Sequence, residues 1–392
     1  MPKPVAVTGN EAVANALRQV NPDVCAAYPI TPQTDMMQRF ASFVSNGQVD
    51  TEIILVESEH SAMSACIGAA AAGGRVITAT SSQGLALMWE MLFIAAGDSL
   101  PIIMPVVNRA LSAPLNIHGD HSDAMGARDS GWIQLWSENA QEAYDNTIQA
   151  FRIGEHPEIR LPVMINMDGF IISHSIETME YLEDEVVKSF VGEYQDAYPL
   201  LDLKKPKSYG PLILPDLYHE YKRLQHEIMG RVKNVVLNVA EEFEKISGRK
   251  YGLFETYRLE DAEVALVILG SAAGTAKDVV DAVRDKGIKA GLLKPRLFRP
   301  FPYEEVAQAL EHLKAVCVMD RADSFGGYGP VFLEVSSALY QNGKGPALIN
   351  KIYGLGGRDF LPEHAEAVFN ELNEIASGGS IKTIKEYIGV RQ

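Results

Sequence analysis

Glu57 and Glu59 stand two residues apart, just after a short apolar run at residues 53–56. The run reads as a buried strand, which would bring both carboxylates to its carboxyl end. Ser82, Gln83 and Gly84 follow a second such run (76–80), and Asn108 and Arg109 close a third (102–107). Tyr28-Pro29-Ile30-Thr31-Pro32 follows a fourth, residues 24–27. An acid, a hydroxyl, an amide-bearing turn and a guanidinium are thus all expected at strand ends. A carboxylate among apolar residues is costly unless something pairs with it, which points to a cofactor. An arginine fork suits a carboxylate ligand bidentately. A structural ion pair, with Glu59 itself as one partner, is the competing explanation for Arg109.

The elements that must position these groups follow from periodicity. A small-residue helix over 61–72, closed by Gly73-Gly74, separates the first two of these strands in sequence, and another helix follows Gly84. Strand alternating with helix in this way predicts a parallel sheet. Ligands in such sheets bind outside the carboxyl ends of the strands, so Glu59 and the Ser-Gln-Gly turn share one edge. Pro29 and Pro32 make 28–32 a rigid extended loop rather than helix or central strand. Further strands are predicted at 4–7, 133–137 and 163–167, and a helix at 11–20. Residues 183–208 mix acids, Pro and Lys without period and read as a surface excursion or an arm on a neighbouring subunit. One long amphipathic helix follows, with Asp216 as expected N-cap and Gly248 as its stop.

The chain divides after residue 260 into residues 1–260 and 261–392. The second part alternates strands (264–269, 288–293, 315–319, 347–353) with helices, which predicts a smaller α/β domain. Its Gly270-Ser271-Ala272-Ala273-Gly274 turn lacks the G-x-G-x-x-G pattern and reads as tight strand-to-helix packing. Leu297 to Pro302 breaks the chain before a helix.

Composition narrows the function. A net charge of −16 disfavours nucleic-acid binding, which needs clustered Lys and Arg. No run is long enough to span a bilayer and the N-terminal residues carry no signal-like segment, so no membrane is expected and the cytoplasm is the default location. The cysteines Cys25, Cys66 and Cys317 form no C-x-x-C pair, so neither zinc nor an iron–sulfur cluster is expected on this chain. His118, Asp120, His121 and Asp123 crowd one loop, but polar loop clusters are common and no metal is assigned to them.

One chemistry that needs a nearly buried acid beside a flat polar ring is thiamine catalysis, where the acid bonds the pyrimidine nitrogen. Five motifs in order carry a resemblance to it: Y-P-I-T-P at 28–32, S-E-H-S-A at 58–62, S-S-Q-G-L at 81–85, N-R-A at 108–110 and G-D-H-S-D at 119–123. With them the chain resembles the α subunit of 2-oxoacid:ferredoxin oxidoreductases, pyruvate:ferredoxin oxidoreductase being the nearest type. The resemblance implies a pyrimidine-type thiamine-diphosphate-binding fold followed by a transketolase C-terminal-like domain. It implies Glu59 as the thiamine-activating acid, Thr31 and Arg109 as the residues holding the oxoacid carboxylate, and Tyr28, Pro29 and Ile30 as part of that loop. Ser82, Gln83 and Gly84 fall beside the cofactor ring, and Glu57 receives no role. The reaction implied is oxidative decarboxylation with coenzyme A, electrons passing to ferredoxin. No G-D-G with a following Asn is present, so a β subunit is expected to hold the diphosphate and Mg2+. The iron–sulfur clusters then fall to partner subunits, with γ and δ completing a dimer of heteromers. Branched-chain, aromatic or 2-oxoglutarate substrates stay open, as does a thiamine enzyme that does not use ferredoxin. Threonine at position 31, where an oxalate-acting relative would place arginine, argues against oxalate.

Overall fold

Residues 4–341, 343 and 345–391 are described by the computed structural model. The first part of the chain runs β1 (Pro4–Thr8), α1 (Gly9–Val20), β2 (Val24–Ala27), α2 (Thr34–Ser45), β3 (Glu52–Leu55), α3 (Glu59–Ala71), β4 (Val76–Ile77), α4 (Ser82–Leu87), α5 (Trp89–Gly97), β5 (Ile102–Asn108), α6 (Ser122–Gly126), β6 (Ile133–Trp136), α7 (Ala140–Gly154), β7 (Val163–Asp168), α8 (Ile171–His174), β8 (Ile176–Glu180), α9 (Asp184–Val191) and α10 (Pro215–Ser247). The rest runs β9 (Phe254–Tyr257), β10 (Val264–Ile268), α11 (Ala272–Asp285), β11 (Ala290–Pro295), β12 (Leu297–Arg299), α12 (Tyr303–Leu310), β13 (Ala315–Asp320), α13 (Pro330–Gln341), β14 (Ala347–Ile352), α14 (Pro362–Ala376) and β15 (Lys385–Tyr387).

The first sheet has the order β12-β6-β7-β5-β4-β2-β3. All its neighbours are parallel except β12, which runs antiparallel to β6. Helices cover both faces, as the fully buried β5 and β7 require. The order explains the site. The segments after β3, β2, β4 and β5 leave adjacent strands at one edge and carry Glu59, Thr31, Ser82 and Arg109 respectively, and Asp168 ends β7 at the same edge. The second sheet, β15-β14-β13-β10-β11-β9, is parallel apart from β9.

Several expectations need correction. Residues 53–56 are apolar but not a buried strand: β3 is the sheet's edge and Leu55 is 90 % exposed. The run 76–80 is strand only at Val76 and Ile77, with Thr80 adding a single bridge to Val106. The opening strand β1 lies outside the main sheet and pairs with β8. Leu297 to Arg299 is not a mere break, because it supplies the strand that caps β6. β9, which precedes residue 261, belongs to the second sheet. The surface excursion includes α9 and packs on its own chain, with Leu200 N–H donating to Ala71 O at 2.7 Å.

Helix α10 begins at Pro215, whose missing N–H and fixed φ suit the first helical position, so Asp216 lies inside the first turn and Leu214 is the N-cap. Gly248 ends it in the left-handed conformation, as expected. Only its second half is buried, through Val232, Val235, Val236, Val239, Ala240 and Phe243, whereas Leu217 and Leu224 are exposed. Among the described residues no helix is long and apolar enough to cross a membrane. All three cysteines are free and buried.

Two buried polar clusters join the sheets. Asp168 accepts from His121 Nε2 (2.6 Å), Arg321 Nη1 (3.1 Å) and Ser271 N–H (2.9 Å), so the turn after β10 docks on the end of β7. Lys294 inserts its ammonium between Glu138 and Glu142, each at 2.5 Å, and Glu255 at 2.7 Å. That acidic trio is close enough to hold a cation, and the lysine serves as one.

Candidate active site

Glu59 is the first residue of α3. Ser58 caps the helix by accepting from Ser61 N–H at 3.2 Å, so the chain turns sharply after β3 and does not continue as a strand. The turn separates the two acids. Glu57 faces solvent and takes the Ser61 hydroxyl, whereas Glu59 is only 7 % exposed. Its carboxylate has no hydrogen-bond donor and no cation partner among the described residues. It lies against Gly84: a Cβ there would sit 2.7 Å from Glu59 Oε1 and would collide with Thr80 Oγ1. Thr80 Oγ1 and Gln83 Nε2 are buried and also lack partners. The glycine therefore opens a space edged by one unpartnered acid and one unsatisfied hydroxyl, with the Gln83 NH2 group unsatisfied in the same turn.

The turn ahead of α4 is fixed by side chains. Ser82 adopts φ +48°, a left-handed backbone unusual for a residue other than glycine. Its hydroxyl lies 2.6 Å from Ala110 O, and its N–H donates to Asp123 Oδ2 at 2.9 Å. Ser82 is thus spent on shaping the turn, and Gln83, whose Oε1 lies 2.5 Å from the Ser82 hydroxyl, is left with an unused NH2 group.

Arg109 leaves the end of β5 and is 6 % exposed. Nη1 donates to Thr31 O at 2.8 Å and Nε to Asn116 O at 2.9 Å. Among the described residues its guanidinium makes no ion pair, with Glu59 or any other carboxylate. Burial pulls its pKa below the ordinary arginine value, and the nearby Asp123 charge opposes that shift. Two carbonyl partners orient the fork while leaving its charge for something else.

The Tyr28–Pro32 loop is exposed at Tyr28, Pro29 and Thr31 and is pinned from below. Asn10 Nδ2 donates to Pro32 O (3.0 Å), and fully buried Gln33 donates from Nε2 to Ala79 O (3.1 Å). Arg109 therefore meets this loop through the Thr31 backbone, which leaves the Thr31 side chain facing outward.

Asp123 received no role from sequence, yet it ties the site together. Oδ2 accepts from Ser82 N–H and Arg109 N–H, both at 2.9 Å, and Oδ1 from Asn108 Nδ2 (3.0 Å) and Ala124 N–H (2.7 Å). Burial raises its carboxyl pKa to about 6 against the pull of those donors. The polar loop that hinted at metal is accounted for, with His121 on Asp168 and Asp120 accepting from Ser122 and Gly356. Thr80, Gln33, Asn116 and Asp123 act through contacts distant in sequence. Only Asp123 left a signal, as the last acid of G-D-H-S-D.

The chain is similar to known proteins along nearly its whole length. Residues 15–241 match the pyruvate flavodoxin/ferredoxin oxidoreductase, thiamine diphosphate-binding family. Residues 262–365 match the pyruvate:ferredoxin oxidoreductase core domain II. Pyruvate synthase subunit PorA of Thermotoga maritima is 56% identical over 99% of this chain and 98% of that protein. Ketoisovalerate oxidoreductase subunit VorA of Pyrococcus horikoshii is 42% identical over 97% of both chains. The solved 2-oxoglutarate:ferredoxin oxidoreductase from Magnetococcus marinus, with 2-oxoglutarate, coenzyme A and succinyl-CoA bound, superposes with a TM-score of 0.71 at 21% identity. The match covers 96% of this chain and 66% of that one. At that identity the likeness speaks for the fold.

Proposed function

Because the chain belongs to the pyruvate flavodoxin/ferredoxin oxidoreductase family, we propose that it is the catalytic α subunit of a pyruvate:ferredoxin oxidoreductase, working reversibly as a pyruvate synthase in the cytoplasm. The observation that carries this reading is the unpartnered, buried carboxylate of Glu59, which meets the unsatisfied Thr80 Oγ1 over Gly84, with Gln83 Nε2 unsatisfied in the same turn. Those groups fit the edge of an aminopyrimidine, which offers ring nitrogen and amino partners together. When bound, thiamine diphosphate supplies the nucleophilic carbon and electron sink that decarboxylation requires. Glu59 holds a proton on the pyrimidine edge, and Gly84 keeps side-chain bulk out of the ring's place. Gln83 offers its amide to the same ring. Arg109, oriented by Thr31 O and Asn116 O, binds the carboxylate of the 2-oxoacid, with the Thr31 hydroxyl beside it. Tyr28, Pro29 and Ile30 wall the mouth.

The remaining parts are assigned to partners: the diphosphate and Mg2+ to a β subunit, the iron–sulfur clusters to partner subunits, with γ and δ subunits and ferredoxin completing electron transfer in a dimer of heteromers. The exposed Leu87, Trp89, Phe93 and Ile94 on α4 and α5, directly after the cofactor turn, support a subunit contact there. A branched-chain 2-oxoacid is the second reading, favoured by the 42% identity to a ketoisovalerate oxidoreductase subunit.

The test is to purify the chain with its companion subunits. Bound thiamine diphosphate, iron–sulfur absorbance and coenzyme A-dependent ferredoxin reduction by pyruvate are expected, and Glu59→Gln should abolish turnover while the complex still assembles. Near-normal turnover of that variant, or a complex without thiamine, would overturn the reading.

A further inference from the structure

We propose that Asn116 is a positioning residue through which a glycine turn of the second domain sets the Arg109 guanidinium, so that 2-oxoacid affinity depends partly on residues far from the chemistry. The inference rests on the reading of Arg109 as the carboxylate's partner.

Arg109 Nε donates to the backbone oxygen of Asn116 at 2.9 Å. That carbonyl sits in a loop that exposes residues 112–115 and 117–118 to solvent, so it cannot hold the guanidinium unless the loop is itself held. The Asn116 side chain supplies the restraint. Nδ2 donates to Gly356 O at 2.9 Å, and Oδ1 accepts from His118 N–H at 2.7 Å. Two backbone bonds flank it: Gly357 N–H to Gly119 O at 2.8 Å, and Gly356 N–H to Asp120 Oδ2 at 3.1 Å. The turn cannot be built from other residues. Gly356 and Gly357 have φ of +59° and +81°, and a Cβ on either would strike Asn116 Nδ2 or His118 Cβ. On its far side the loop meets the second domain again, where His121 N–H donates to Arg321 O at 2.8 Å. The Arg109 fork is therefore oriented from one side by Thr31 of its own sheet and from the other by the second domain.

Asn116→Ala keeps the carbonyl that Arg109 uses and removes the cross-domain bond to Gly356 O together with the local one from His118 N–H. Gly357→Ala disturbs the neighbouring contact from the second domain, pressing on His118. In the assembled complex, both should raise KM for pyruvate by about three- to tenfold, the scale of one neutral hydrogen bond. The kcat at saturating pyruvate and the affinity for thiamine diphosphate should stay unchanged, which general structural damage would not allow. In an Arg109→Ala background, Asn116→Ala should add nothing. If Arg109→Ala raises KM but neither of the other variants does, or if they lower kcat and cofactor affinity together, the inference fails alone. If Arg109→Ala leaves KM unchanged, the carboxylate reading beneath it fails.

Discussion

Arg109 reaches Thr31 through its backbone oxygen, Nη1 to O at 2.8 Å, and makes no ion pair among the described residues. A buried cation oriented by carbonyls alone keeps its full attraction for an incoming anion. Arg109→Ala should therefore cost the complex about 1.5–3 kcal/mol of 2-oxoacid binding, the range for hydrogen bonds to charged groups. Steady-state kinetics should show this as a raised KM, while calorimetric titration with thiamine diphosphate should show no comparable loss. Arg109→Lys should recover only part of the affinity, since a point charge cannot reproduce the fork.

Gly84 leaves no room for a side chain between Glu59 and Thr80. In Gly84→Ala the new methyl would press on Glu59 and Thr80, and overpacking of this kind costs about 1–3 kcal/mol. The expected signature is weakened thiamine diphosphate binding by fluorescence or calorimetric titration, with a modest fall in melting temperature. An unchanged cofactor affinity would show that the ring lies elsewhere.

Asp123 links titration to geometry. Its hydrogen bonds to Ser82 N–H and Arg109 N–H need the ionised carboxylate, while burial lifts its pKa to about 6. The raised value means that the charged form costs stability as pH rises through 6, yet that form alone accepts all four donors. Activity should accordingly fall as pH drops below about 6, the arginine being the nearest charge and staying protonated throughout. Asp123→Asn should lose activity at every pH and flatten that acid limb in a pH–kcat/KM profile.

Asp168 tests the domain junction. Burial alone would raise its pKa, but His121 and Arg321 outweigh it and hold the carboxyl below the usual carboxylate range. A depressed carboxyl contributes stability above its unfolded pKa and loses it as pH falls through the folded value, so the contribution should fade below about pH 4. Asp168→Asn should remove about 3–5 kcal/mol, the usual cost of breaking a buried pair, and the loss should show by thermal melting at neutral pH. The difference from wild type should shrink in acid.

The legible part of this chain was local. Glu59, Thr31 and Arg109 could be placed at one sheet edge because each sits in a segment leaving a strand, and a parallel sheet sends all such segments to one edge. What could not be read depended on neighbours distant in sequence. Residues 53–56 look like core by composition, but strand order left β3 with one neighbour. Periodicity could not choose between Glu57 and Glu59, since the Ser58 cap turns the chain between them. Asp123 and Asn116 look like ordinary loop polars until Arg109 and Gly356 are seen against them.

Strand β12 leaves the second domain to pair with β6, and β9 comes from before the apparent boundary to pair with β11. Each half thus lends the other a border strand, like two pages sewn through a common seam. A gene cut at residue 260 would yield one fragment with a bare, sticky margin beside β6 and another without the ribbon that finishes its sheet. Fragments intended for expression, fusion or crystallisation should keep 254–299 on the same piece as both sheets.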